Sequence, residues 1–162
     1  MKSLNESIKE YQIQIEKGDI IVAYRGLMNF MMSLRSHFSS KYPDYIISGS
    51  IYYGYMDMTY FAFSPESMKS KQLKIAIVLI HNGLRFEVWL AGYNKKVQAR
   101  YFNLFKQKAG IPFRMPSTLQ GADSILECTL VDKPDFSDPD ALMHQIEEET
   151  LRFIDRVKEL VA

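Results

Sequence analysis

Several features that define other protein classes are missing from this 162-residue sequence. It has a single cysteine, Cys128, so no intramolecular disulfide can form, and a lone thiol in an apolar run fits a core residue in a reducing compartment. Its formal net charge of +1 argues against bulk, sequence-blind binding of nucleic acid. No apolar run is long enough to span a bilayer, and the first residues lack the apolar segment of a secretory signal. We therefore expect a soluble, cytoplasmic protein with no membrane partner.

Motifs that identify a known chemistry are also missing. The three histidines, His37, His81 and His144, lie far apart, with no cysteine or carboxylate at the spacing of zinc ligands. The sequence has no Gly-x-Ser-x-Gly elbow, no Walker loop and no dinucleotide-binding glycine pattern. It therefore contains no complete catalytic set and predicts no cofactor, and we favour a non-catalytic role over an enzyme.

The most informative stretch is Leu73 to Gly92, in which two apolar segments flank Asn82-Gly83. Asn-Gly between two such segments is the strongest local signal for a two-residue type I′ hairpin turn. The turn fixes a register in which one face of the hairpin is almost wholly apolar. The opposite face, called the mixed face below, carries Lys74, Arg85, Glu87 and Trp89.

Helical patterns lie on both sides of this hairpin. Ser3 and Glu6 have the spacing of a capping box, and Gly18 is a typical stop, which predicts an amphipathic helix over residues 4–17. A second helix starts near Asp19 and ends before Pro43. A third is predicted over residues 95–108, and a C-terminal helix follows Asp138-Pro139, with the acidic residues 147–149 on its solvent side.

Tyrosine, isoleucine and phenylalanine dominate residues 46–63, which favours strand structure. Because no two-residue turn lies inside this segment, we favour one long strand bent at Gly54, with a hairpin as the alternative. A last strand is predicted over residues 124–131. The chain is thus predicted to be a single α+β domain over residues 1–162. Its antiparallel β-meander is flanked by two N-terminal helices, a middle helix and a C-terminal helix.

Four runs of the sequence resemble a known family: AYRGLMNFMMSLRSHF (23–38), KYPDY (41–45), SGSIYYGYMDMTYFAF (48–63) and RFEVWLAGYNKKVQARYF (85–102). Together they resemble an uncharacterised bacterial family, a domain of unknown function, over nearly the whole chain. The resemblance implies a bacterial, cytoplasmic, stand-alone single-domain protein. The family has no assigned activity, so the resemblance implies a class and no mechanism.

Aromatic residues make up 13% of the chain and suggest a binding site. An aromatic-walled pocket on the mixed face, with arginines for a planar carboxylate or phosphate, would bind a small molecule or a protein segment. The predicted ligand-binding residues are Arg35, Tyr53, Tyr55, Asp57, Arg85, Glu87 and Trp89. The plainer interpretation is that the tyrosines pack beneath helices with their hydroxyls in water. Lys95, Lys96 and Arg100 form a small basic patch at the start of the third helix, either solvated or in contact with an anion.

An enzymatic alternative uses Asp57, Glu87 and Lys74 as catalytic residues. Residues 54–57 resemble the Gly-x-x-Asp strand of restriction-endonuclease-like nucleases, and Lys74 follows on the next strand. Such a site would hold Mg²⁺ or Mn²⁺ and cleave a phosphodiester. The acidic residue expected two positions before the lysine is replaced by Gln72, so Glu87 would have to substitute for it. In the structural alternative, Glu87 pairs with a neighbouring cation.

Self-association is a third hypothesis. A homodimer would form through an edge strand or through the apolar stripe of the second helix, which contains Ile20, Tyr24, Leu27, Met31, Leu34 and Phe38.

Overall fold

Five β-strands form one antiparallel sheet in which spatial order follows chain order. The computed structural model describes the backbone of residues 1–162 and the side chains of residues 1–47 and 49–162. The strands are β1 (Ile46–Tyr52), β2 (Met58–Ser64), β3 (Leu73–Ile80), β4 (Arg85–Gly92) and β5 (Leu126–Asp132). The predicted α+β class with an antiparallel meander is confirmed.

Five helices accompany the sheet: α1 (Leu4–Lys17), α2 (Asp19–Lys41), α3 (Glu66–Lys69), α4 (Lys95–Lys106) and α5 (Pro139–Val161). The side chains of Ser3, Asn94 and Asp138 each accept a hydrogen bond from the first turn of a helix, as their capping signals indicate. Asp19 does not cap α2, because the N-cap is Gly18 and no side chain accepts a bond there. The four-residue α3 was not predicted, since it is too short to show a helical period. Among the described helices, none combines the length and apolar composition of a membrane span.

The β3–β4 hairpin has the predicted register but a different turn. Pairing ends at Ile80 and Arg85, so the loop has four residues, 81–84. Positive φ angles occur at Gly83 (79°) and Leu84 (43°) and not at Asn82. A type I′ turn requires positive φ at both central residues, so that prediction is wrong. The register is unchanged, because the loop 81–84 connects Ile80 to Arg85. These two residues would also pair if a two-residue turn at 82–83 were flanked by a pair of His81 and Leu84.

The β1 and β2 strands form a hairpin, so the prediction of one long bent strand is wrong. The connection is residues 53–57. A Cβ on Gly54, whose φ is 76°, would lie 2.0 Å from the carbonyl oxygen of Met58, so this loop requires glycine. The Asp57 carboxylate accepts a hydrogen bond from the Tyr55 N–H at 2.9 Å and closes a local turn. A five-residue loop of this kind lacks the dipeptide that identifies a shorter turn.

The apolar face of the sheet carries the main core. Its β3 and β4 side chains have no exposed surface: Ile75, Ile77, Leu79, Phe86, Val88 and Leu90. Buried side chains of α2, α4 and α5 join them in one cluster, which includes Met31, Leu34, Phe38, Phe105, Ile146, Phe153 and Val157. Full burial of one such side chain contributes about 1.5–3 kcal/mol. The mixed face carries a separate, smaller cluster around Ala62, Ala76 and Val78.

The prediction that Glu147 lies on the solvent side of α5 is wrong, because this residue is only 3% exposed. Its carboxylate contacts Lys41 Nζ at 2.6 Å, and the Tyr42 hydroxyl and His37 Nε2 at 2.7 Å each. Burial acts to raise the pKa of Glu147, but the hydrogen bonds from these three residues outweigh it and lower the pKa to about 2. A buried ionic cluster therefore ties α5 to the end of α2.

Candidate functional site

The mixed face of the sheet opens into a cleft of about 670 Å³, called the mixed-face cleft below. Its floor is a row of register partners on three adjacent strands, Ala62, Ala76 and Trp89. Because the two alanine side chains are short, the row leaves a recess beside the Trp89 indole. The β1–β2 loop, the start of α4 and residues 122–123 surround the recess.

A buried carboxylate holds the Trp89 side chain in place. Glu87 is 2% exposed, and its Oε1 accepts a hydrogen bond from the indole Nε1 at 2.8 Å. Arg85 Nε donates to Oε2 at 2.6 Å, and the Arg114 guanidinium lies 3.2 Å from Oε1. Burial and the nearby Glu87 charge raise the pKa of the adjacent Glu127 carboxyl. Arg85 and Glu87 therefore do not line the cleft themselves but fix the position of Trp89, which does.

One end of the cleft lies at the N-terminus of α4. The backbone at Gly92 passes so close that a Cβ there would lie 2.7 Å from the backbone nitrogen of Gln98. Asn94 caps the helix with its side chain, and the N–H groups of Lys95 and Lys96 in the first turn have no partner within the helix. These N–H groups and the helix dipole favour an anion at this end.

Gln98 contributes an unpaired donor to the same end. Its side chain lines the cleft, the residue is 9% exposed, and Oε1 accepts a hydrogen bond from the Gly92 N–H at 2.8 Å. Its Nε2 is buried and has no partner among the described atoms. An unsatisfied buried donor costs about 1–3 kcal/mol, so a partner from outside the chain would stabilise it. Lys74 and Lys95 line the cleft as well and form no ion pair with any described side chain.

The opposite end carries two carboxylates, Asp57 and Asp123. Hydrogen bonds from the backbone N–H groups of Tyr55 and Met58 lower the pKa of Asp57. Burial raises the pKa of the neighbouring Tyr52, and the charges of both carboxylates add to that effect. This end of the cleft is therefore negative.

The two ends are well separated along the sheet. Met58, next to Asp57, pairs with Ile80, which lies six residues from Lys74 on the same strand. At about 3.3 Å per residue, this is a separation of about 20 Å. The cleft is therefore dipolar, with a cationic end at α4 and an anionic end at the β1–β2 loop.

The predicted ligand-binding residues do not all reach the cleft. Asp57 and Trp89 line it, and Arg85 and Glu87 support Trp89. The exposed Tyr53 and Tyr55 lie in the β1–β2 loop, outside the lining. Arg35 lies on α2, whose buried face packs on the apolar face of the sheet, and its Nη2 donates to the Gly49 carbonyl oxygen at 2.6 Å. Arg35, Tyr53 and Tyr55 therefore lie outside the lining of the mixed-face cleft.

Sequence reasoning did not assign Gln98, the two floor alanines or Asp123 to the binding site. The signal for the α4 end was present, because a strand that ends in glycine two residues before a helix cap indicates a close backbone approach. The alanines gave no signal, since only the strand register shows that they adjoin Trp89.

The three residues of the nuclease hypothesis do not surround a shared site. Asp57 lies in a loop, and Lys74 lies at the other end of the cleft. Both oxygens of Glu87 are already bound by Arg85, Arg114 and Trp89. Among the side chains that the structure describes, no group of three or more His, Cys, Asp or Glu residues could hold a metal ion. The residues present therefore do not fit Mg²⁺ or Mn²⁺.

Comparison with known families adds the classification of the chain. A family model matches residues 4–161, and its description is a domain of unknown function, DUF7000. The chain belongs to this family. The expected membership of an uncharacterised family is thereby confirmed, and the matched range includes every residue of the mixed-face cleft. No curated protein and no solved structure matches the chain.

Proposed function

We propose that the mixed-face cleft binds a small anionic molecule that also carries a flat ring. The observation that carries this proposal is the buried, unpartnered Nε2 of Gln98 beside Lys74 and Lys95. A carboxylate or phosphate oxygen at this end would accept hydrogen bonds from the amide and from the first turn of α4. The two lysines would neutralise its charge.

The recess beside Trp89 fits the ring. A flat ring above Ala62 and Ala76 would contact the indole, and such an aromatic pair contributes about 0.5–1.5 kcal/mol beyond area burial. A cleft of about 670 Å³ is also within the range of small-molecule pockets, about 300–1,000 Å³.

The role of the cleft in this proposal is binding without catalysis. Glu87 is engaged in a fixed ionic cluster, and Asp57 is engaged by its own loop, so neither is free to move a proton. The proposal places the protein in a bacterial cytoplasm, where the half-buried Cys128 thiol stays reduced.

Tryptophan fluorescence tests the proposal directly, because Trp89 is the only tryptophan in the chain. The probes are AMP, adenosine, which has the ring without the anion, and inorganic phosphate, which has the anion without the ring. Trp89 is excited at the red edge of indole absorption, where adenine does not absorb. We expect AMP to change Trp89 emission in a saturable way. Adenosine and phosphate should each bind at least about tenfold more weakly, since each loses about 1.4 kcal/mol or more of binding free energy.

A charge-matched pair of variants shows whether binding uses the cationic end. Lys74→Ala removes a charge-assisted contact and should raise the Kd for AMP about tenfold or more. Lys158→Ala removes an exposed lysine on α5, far from the cleft, and should leave the Kd unchanged. If AMP fails to alter Trp89 emission, or if Lys74→Ala binds AMP as tightly as the wild type, the proposed function is wrong.

A further inference from the structure

The helix α1 has no buried residue, although one of its faces is apolar. Leu4, Ile8, Tyr11 and Ile15 are 76%, 42%, 62% and 37% exposed. Their helical spacing places them in one line, called the α1 stripe below. The residues beside the stripe are uncharged, and the charged side chains of α1 lie on the opposite half of the helix: Glu6, Lys9, Glu10, Glu16 and Lys17. An apolar stripe without charges is typical of the core of an interface.

A groove of about 620 Å³ runs along α2 and is called the α2 groove below. Small residues of α2 line it, Ala23, Gly26 and Ser33, together with the larger Phe30, Phe136 and Met143. Its α2 residues extend from 22 to 33, and the α1 stripe extends from 4 to 15. Both are eleven-residue steps, about 17 Å at 1.5 Å per residue. The stripe and the groove therefore match in length and in apolar character, and the α2 residues that line the groove carry no charge. Asp140 of α5 is the one charged residue in its lining.

Gly26 is unexplained by the packing of its own chain. A Cβ at this position would meet nothing within 4 Å. Glycine in the middle of a helix costs about 1 kcal/mol relative to alanine. A second helix crossing closely at Gly26 would account for the small residue.

The α1 helix cannot occupy the groove of its own chain. Gly18 is the single residue between α1 and α2, whereas antiparallel helices need a connection of about 2–5 residues. The groove starts at Val22, only four residues after Gly18. An α1 helix that fills the groove must therefore come from another molecule, and a short hinge of this kind favours exchange between copies.

We propose that two copies of this chain exchange α1 reciprocally, so that each α1 stripe lies in the α2 groove of the other copy. Taking about 100 Å² for an exposed aliphatic side chain and about 200 Å² for tyrosine, the exposed parts of one stripe total about 300 Å². With an equal area of groove, one contact buries about 600 Å², and two symmetric contacts bury about 1,200 Å², where stable interfaces begin. The area therefore requires both contacts, which defines a twofold dimer.

Two isoleucines of α1 provide a matched test by analytical ultracentrifugation of the full chain. Ile8 lies in the stripe, and Ile13, which is 46% exposed, lies on the opposite face of the same helix. We expect the wild type to be a dimer. Ile8→Lys should raise the dimer Kd at least about tenfold, because it puts a charge in an apolar contact, whereas Ile13→Lys should leave it unchanged.

A groove variant tests where the stripe lies. Gly26→Leu adds a side chain whose Cβ meets no atom within 4 Å, so circular dichroism should report a folded protein, while the leucine occupies the groove and excludes α1. A mixture of Ile8→Lys and Gly26→Leu chains retains one intact contact and should form a weak heterodimer, although each variant alone is monomeric. A wild type that is monomeric up to about 0.1 mM, or a Gly26→Leu chain that dimerises normally, would overturn the proposal. The cleft plays no part in this contact, so failure here leaves the proposed function untouched.

Discussion

Two buried glutamates show how single residues shape this protein in different ways. Glu87 and Glu147 are both almost fully buried, and each carboxylate contacts three side chains. The partners of Glu147 all lie at the end of α2, so its role is to join elements. Glu87 instead binds the indole of Trp89, so its role extends to the lining of the cleft.

The same substitution at the two glutamates should separate these roles. Glu87→Gln removes the charge that two arginines and the Trp89 N–H require, and we expect it to lower the free energy of unfolding by about 1–3 kcal/mol and to weaken AMP binding. Glu147→Gln should also lower stability but leave the AMP Kd unchanged. Urea unfolding and Trp89 fluorescence titration provide the two readouts. Equal AMP affinities in both variants would show that Glu87 does not position Trp89.

Among the elements, the contact between β4 and α4 is the one that forms the cationic end of the cleft. It depends on Gly92, where the strand and the helix come too close for a side chain. This contact orients both Gln98 and the first turn of α4, so the position of the helix determines the geometry of the anion site.

Alanine at Gly92 should displace α4. Because the added Cβ would lie 2.7 Å from the Gln98 nitrogen, we expect Gly92→Ala to lower the free energy of unfolding by about 1–3 kcal/mol and to weaken AMP binding. The control is Gly26→Ala, which meets no neighbour and should raise stability by up to about 1 kcal/mol. Both are measured by urea unfolding in an Ile8→Lys background, so that association does not contribute. A Gly92→Ala chain as stable as its parent would contradict the close contact.

Predictability from sequence also differs among the elements. The register of the β3–β4 hairpin was predictable because apolar alternation centred on Asn82-Gly83 is a signal within twenty residues, although the turn type was not. The caps of α1, α4 and α5 were predictable because each depends on the adjacent helical turn. The β1–β2 hairpin was not, because its loop uses an aspartate side chain and a glycine in place of a dipeptide signal. The cleft was half predictable: one face could be assigned, but the position of Gln98 depends on elements that meet only in the folded chain. The burial of Glu147, outside the cleft, was unpredictable for the same reason.

For the whole molecule, the sheet divides two surfaces with different properties. The mixed face holds the dipolar cleft, and the apolar face is covered by α2 and α5, which the Glu147 cluster joins. The pairing of α2 with α5 connects the two ends of the chain, since Lys41 and Glu147 are 106 residues apart. Acid conditions should therefore loosen the helical layer.

The pH dependence of stability should show this contribution. The folded pKa of Glu147, about 2, lies below its usual 4.5, so its stabilisation is complete above about pH 4.5 and is lost as pH falls toward 2. The difference of about 2.5 between these two pKa values corresponds to about 3 kcal/mol at neutral pH. In urea unfolding between pH 7 and pH 3, the wild type should lose more stability than Glu147→Gln, whose amide does not titrate. Parallel pH profiles for the two chains would contradict this role of Glu147.

The meander order of the strands also has a kinetic consequence. Three of the four strand pairings join segments that are separated by short loops or a single short helix, so each can close at little entropic cost. The four-stranded ribbon from β1 to β4 can therefore form early in folding, because each of its connections closes locally. The slow step is then the packing of α2 and α5 on the finished ribbon, because their contact joins residues as far apart in the chain as Lys41 and Glu147.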